Sequence, residues 1–380
     1  MKVSFYLSAG LSILFELANV YFIMPLPYSQ RMRSIDLAYF LYTWRWAFRI
    51  LLLGGMVAGL PDAWRSLRRF KLVIPVVIAV VVFVALGINF NMQADHIFIA
   101  PKTVVMRPQN QNGVEPGRLV VGVEINGDAR AYPVQFIGYH HQVSDSVGGQ
   151  PVLVSFCTVC RTGRVFSPVI DGKRETFRLV GMDHFNAMFE DASTKSWWRQ
   201  ATGEAIAGSR KGMALKEIAS RQTTLAEWLV IHPTSLIMQA DSTLKSKYSS
   251  SFDYENGTSR RALTGTDTAS WHDKSWVVGI ALNGASKAYD WNQLRRERVL
   301  NDIVGGNPVV LALASDSMSF FAFERPDASM RFELIADSLI AGDRRFALSG
   351  KGARANLTPV SASQEFWHSW KTFHPGTARY

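Results

Sequence analysis

Cysteine is nearly absent from this chain: there are two, Cys157 and Cys160, in 380 residues. Two thiols cannot build the disulfide framework that holds small secreted domains together. Their spacing makes them a local feature. Acidic residues are also short, 31 Asp and Glu against 41 Lys and Arg, for a net charge of +10. That excess is not a nucleic-acid footprint. Residues 1–92 hold nine basic and three acidic residues, and the basic ones flank apolar stretches, where membrane orientation accounts for them. Nucleic acid is therefore not an expected partner. Charge is missing altogether from Leu72 to Phe90.

What is present is apolar sequence, 48% of the chain, concentrated at the N-terminus. Stretches at about 4–27, 37–60 and 72–90 each approach the ~20 residues that cross a bilayer. Residues 1–92 are thus expected to form a three-helix membrane anchor, with the lipid bilayer as partner. The first stretch is not a cleavable signal, because no small-residue cleavage site precedes further membrane sequence. Lys2, Arg65, Arg68, Arg69 and Lys71 fall on one side, against Arg31 and Arg33 on the other. The positive-inside rule then puts the N-terminus in the cytoplasm and the C-terminal part outside the inner membrane, in the periplasm or extracellular space. Glu16, Arg45 and Arg49 lie within the stretches. A structural ion pair or snorkelling is preferred over an ion path.

From about residue 118 the pattern turns strand-like and repeats itself. Val121–Tyr132 matches Val278–Tyr289, and Asp145–Val152 matches Asp302–Val309, both at an offset of 157. Trp228 with His232-Pro233 matches Trp370 with His374-Pro375 at an offset of 142. The expected fold is transmembrane helices followed by a β-rich α+β domain of two repeated units: 93–241 with the Cys-x-x-Cys, a linker or loop at 242–272, and a degenerate copy at 273–380. Each unit closes on a short helix, 224–231 and 363–373. Asn-Gly and Gly-Gly pairs mark hairpins. His232 and His374 occur in both copies and read as helix-end packing. The thiols and His140-His141 occur only in the first; their counterparts are Ala314, Ser317, Glu297 and Arg298.

A hairpin turning at Gly148-Gly149 pairs Val143 with Val154 and sets His140 or His141 beside Cys157. Two thiolates and an imidazole suit Cu(I), or Zn(II) with a fourth ligand. His184 and Met188 are candidates to complete the shell, Met188 reading first as core packing. The metal set is Cys157, Cys160, His140, His141, His184 and Met188, for copper delivery or sensing, with an envelope metalloprotein or redox partner. The alternatives are thiol–disulfide exchange with Cys157 attacking, or a binding module with a structural disulfide. In that last case Trp197, Trp198 and Glu204 line a cleft, although core is the preferred reading for the tryptophans. No other catalytic constellation stands out.

Gly138-Tyr-His-His141, Asp145-Ser-Val-Gly-Gly149, Phe156-Cys-Thr-Val-Cys-Arg-Thr-Gly-Arg-Val-Phe166 and Trp197-Trp-Arg-Gln-Ala-Thr-Gly-Glu-Ala-Ile-Ala-Gly208 resemble the bacterial domain-of-unknown-function family 3179. The resemblance covers about residues 100–380. It implies an exported or membrane-anchored protein and carries no assigned activity.

Overall fold

A continuous apolar stretch satisfies its backbone polar groups internally only as a helix. In the computed structural model, which describes residues 2–67 and 71–380, three helices are long and apolar enough to cross a membrane: α1 Lys2–Tyr21, α3 Arg45–Ser66 and α4 Val73–Asn91. The 19 residues of α4 span roughly 28 Å, close to the ~30 Å hydrocarbon thickness. The stretch expected at 37–60 is divided. Residues Ile35–Thr43 form a separate short helix, α2, and α3 starts only at Arg45. Trp44 between them leaves helical geometry and is 55% exposed. Arg68 and Arg69 lie outside the described residues.

The charges within these helices form a paired cluster. Arg49 of α3 grips the Glu16 carboxylate of α1 with two bonds of 2.7 and 2.8 Å, and also donates to Asn89 of α4 at 2.8 Å. Asn89 donates to Glu16 at 3.2 Å. The cluster ties three helices together by hydrogen bonds that would be costly to leave unmade. Arg45 does not join it and instead lies over the Tyr42 ring.

The chain divides into two compact units. The first runs to Ile99 and also takes in 177–199 and 204–213. Its strands Phe177–Asp183, Asn186–Asp191, Trp197–Arg199 and Ala205–Ala207 form an antiparallel sheet. The sheet binds the loop after α1 through the Met182 amide, which donates to the Ile23 carbonyl at 2.8 Å. Arg178 bonds Tyr42 and pairs with Asp95 at 3.1 Å.

The second unit holds the rest. A five-stranded sheet runs in the order Met106–Arg107, Leu236–Met238, Asp128–Pro133, Leu119–Ile125, Arg221–Thr224. A four-stranded sheet runs Ala362–Phe366, Trp276–Leu282, Ala285–Asp290, Ala378–Arg379. Each is accompanied by a three-stranded meander, Gln142–Val147/Gln150–Cys157/Thr162–Phe166 and Val299–Val304/Asn307–Leu313/Phe320–Glu324. The hairpin turns have positive φ at both central residues, as at Asn126-Gly127 and Gly148-Gly149. A side chain at Gly148 would also run into the Ile125 carbonyl.

The helices Val134–His140 and Trp291–Glu297 follow equivalent hairpin strands. Trp228 and Trp370 are buried against Gly122 and Gly279. His232 and His374 cap the helices Leu225–Ile231 and Trp367–Phe373, with ring centroids 4.2 and 3.8 Å from those tryptophans. The helix expected at 363–373 begins only at Trp367; residues Ala362–Phe366 are a strand, because they pair with Trp276–Ile280. The segment 242–272, expected as a linker, packs into the unit. Arg118 is buried in it, pairing with Glu255 at 3.0 Å and lying over the Phe252 ring.

Candidate functional site

The two cysteines sit where the second meander strand turns into the third. Cys157 ends its strand opposite Thr162, and the turn between closes through Arg161 at φ 58°. Arg161 in that conformation directs a long cation back into the protein, where it is almost fully buried. Its guanidinium donates to Gln364 Oε1 at 2.6 Å and to the carbonyls of Tyr254 and Glu255, and lies 3.6 Å from the Trp276 ring centroid. Burial pulls its basicity down.

Cys157 and Cys160 are completely buried free thiols, hydrogen-bonded to each other. Burial and the neighbouring Cys157 push the Cys160 thiol well above its usual range, while the Ser369 hydroxyl and the Lys274 ammonium act against that. Ser369 belongs to a buried polar chain. Its hydroxyl donates to Glu365 Oε2 at 2.8 Å, and Arg164 clamps Glu365 Oε1 at 2.7 Å. Thr162 donates to the same carboxylate at 3.2 Å. A carboxylate this buried needs such partners, and here it has them from strand, turn and helix.

Lys274 reaches the turn with Nζ donating to the Val159 carbonyl at 2.7 Å and the Leu263 carbonyl at 2.6 Å. Burial lowers its pKa, and the two thiols raise it. His368 lies alongside, Nε2 3.2 Å from the Val159 carbonyl. Burial, reinforced by Lys274, holds that imidazole at about 4 and hence neutral. The Tyr254 hydroxyl donates to the Thr158 carbonyl at 3.0 Å, and burial raises its pKa. The Phe366 amide donates to the Cys160 carbonyl at 2.9 Å. The turn is thus fixed on its backbone by Tyr254, Lys274 and Phe366.

The hairpin register is as expected, with Val143 opposite Val154, but it does not carry the histidines to the sulfurs as a ladder. The strand starts at Gln142. His140 ends a helix and its Nε2 lies 2.7 Å from the Tyr248 hydroxyl. His141 turns the chain at φ 59° and its Nδ1 meets the Phe156 carbonyl at 3.0 Å; burial holds it at about 4. His184 and Met188 belong to the first unit, and the thiols to the second. His184 bonds Asp183 at 2.6 Å, and Met188 is fully buried in an apolar cluster with Val180, Trp197 and Ile206. Among the described residues, no group of three or more His, Cys, Asp or Glu is placed to hold a metal ion.

Trp197 and Trp198 are core, not cleft. Their indole nitrogens donate to Glu190 at 3.1 Å and Asp191 at 2.8 Å. Glu204 pairs with Arg199 at 3.2 Å.

Sequence reasoning missed Tyr254, Lys274, Glu365, His368 and Ser369. A signal existed: at the offset of 142, Glu365, His368 and Ser369 fall on Thr223, Ala226 and Glu227. Comparing the two halves in the other direction, for residues present only in the second, would have flagged them.

No curated protein and no solved structure matches this chain. A family model, described as "Protein of unknown function (DUF3179)", matches residues 99–377, which include the thiol turn and every residue around it. The chain therefore belongs to the DUF3179 family.

Proposed function

We propose that the chain is a membrane-anchored thiol–disulfide exchange protein of the bacterial envelope, working through Cys157 and Cys160. The observation that carries this reading is the pair of mutually hydrogen-bonded thiols in one turn, with Lys274 and the Ser369–Glu365 chain beside Cys160. Cys157 attacks one sulfur of a partner disulfide and displaces the first partner thiolate. Cys160, its pKa raised by burial with Ser369 and Lys274 acting the other way, then gives up its proton, attacks the Cys157 sulfur of the mixed disulfide and releases the second. The partner disulfide gains two electrons and two protons, and the two cysteines leave as a disulfide.

Two features support the setting. The basic residues bias toward the side of Lys2, Arg65 and Lys71, which implies a cytoplasmic N-terminus and an envelope-facing thiol unit. The paired series of hairpins, helices and capped tryptophans supports a duplicated unit in which the second half supplies part of the site on the first. Titrating the detergent-purified protein in thiol/disulfide buffers tests the function. Both cysteines should become resistant to alkylation together, in a two-electron step. Thiols that stay reduced through the most oxidising buffer would defeat the reading.

Copper is the second reading, and the adjacent sulfurs are what favour it: two thiolates alone can hold Cu(I). This reading rests on the two sulfurs; His140 meets the Tyr248 hydroxyl and His141 the Phe156 carbonyl. Zinc, with its four ligands, finds no such set among the described residues. Stoichiometric Cu(I) uptake lost in both Cys157→Ser and Cys160→Ser would favour this second reading.

A further inference from the structure

Of the four residues Cys157–Cys160, only Thr158 is not buried. It lines a cleft of about 350 Å³ within the second unit, a volume suited to a small-molecule ligand. Tyr254 forms one wall, its hydroxyl on the Thr158 carbonyl. Around the rim stand three exposed cations, Lys247, Arg260 and Arg261. Among the described residues none of the three is ion-paired to a carboxylate. The cleft's own acids do not cancel them. Glu255 is committed to Arg118 at 3.0 Å and to the Leu119 amide at 2.8 Å, which leaves Asp253 alone, accepting from the Thr258 hydroxyl at 3.2 Å.

We propose that this cleft is the entry to the dithiol and that it selects a small disulfide whose arms carry carboxylates. The inference rests on the exchange reading above and names its substrate class. Cations lining one cleft raise the local concentration of an anion and its rate of encounter. The carboxylates would rest on Arg260, Arg261 and Lys247, and the disulfide bond would point past Thr158 toward Cys157. The thiolate of Cys157 takes one arm, the other leaves as a thiolate, and Cys160 then releases the first arm. One dithiol and one disulfide become one intramolecular disulfide and two carboxylate-bearing thiols.

The test uses the reduced full-length protein and three probes: dianionic 5,5′-dithiobis(2-nitrobenzoate), neutral 2,2′-dithiodipyridine and dicationic cystamine. Rates are compared between wild type and Arg260→Glu/Arg261→Glu, so that differences in intrinsic probe reactivity cancel. The anionic probe should slow at least about tenfold in the variant, the neutral probe should stay within about twofold, and cystamine should speed up. Added salt should slow only the anionic probe on the wild type. Lys247→Gln and Arg260→Gln, milder changes at exposed positions, should give graded slowing. Equal factors for all three probes would overturn the cleft as a selective entry while leaving the exchange reading standing. Thiols that react with none of the probes until the chain is denatured would overturn both.

Discussion

At the scale of single residues, the site is governed by burial. Lys274, His368 and His141 all carry ionisable groups held toward their neutral forms, because low-dielectric surroundings disfavour charge. The two histidines link this to stability. In the unfolded chain each protonates near 6.5; in the fold each holds out to about 4. The unfolded state therefore binds more protons across that window. The stability that depends on their neutral forms is complete above pH 6.5 and is lost as pH falls toward 4. The loss is on the order of a few kcal/mol for the pair. Thermal unfolding of the detergent-purified protein should show the melting temperature falling between pH 7 and pH 4.5. His368→Gln, which cannot take up the proton, should flatten part of the fall, and an unchanged slope would count against the assignment.

At the scale of elements, the two halves of the second unit depend on one packing device: a helix carries a tryptophan onto a glycine in the strand beneath it. A Cβ on Gly122 or Gly279 would overlap the ring of Trp228 or Trp370 more closely than real carbon contacts allow. Gly122→Ala and Gly279→Ala should each destabilise by roughly 1–3 kcal/mol through overpacking, and Trp228→Ala by roughly 3–5 kcal/mol through the cavity left behind. Denaturant midpoints measure both. If Gly279→Ala is silent, the helix Trp367–Phe373 can shift without penalty and does not anchor the site. That matters because Ser369 and His368 ride on this helix, so its displacement should also alter the thiol reactivity of Cys160.

At the scale of the whole molecule, the topology prediction is direct. A reporter active only outside the cytoplasm, fused after Tyr380, should be active, and one fused in the loop between α3 and α4 should not. The reverse pattern would place the thiols in the reducing cytoplasm and remove the rationale for envelope redox chemistry. Much of the plan was legible in one dimension. The apolar runs announced α1, α3 and α4, because crossing a bilayer takes a long, predominantly apolar helix. The Asn-Gly and Gly-Gly pairs announced the hairpins and even the Val143–Val154 register, because turns with two positive φ values admit few residues. Those signals are local, carried by neighbours within a few positions. The surroundings of the thiols are not. Tyr254, Lys274, Glu365, His368 and Ser369 lie roughly 95 to 210 positions beyond the turn they surround, and the histidines just before the hairpin bond Tyr248 and the Phe156 carbonyl. Only the pairing of the strand Ala362–Phe366 and the burial of Arg161 beneath Trp276 bring the distant groups to the sulfurs. Side-chain spacing could find the cysteines; folding across the unit chose their companions.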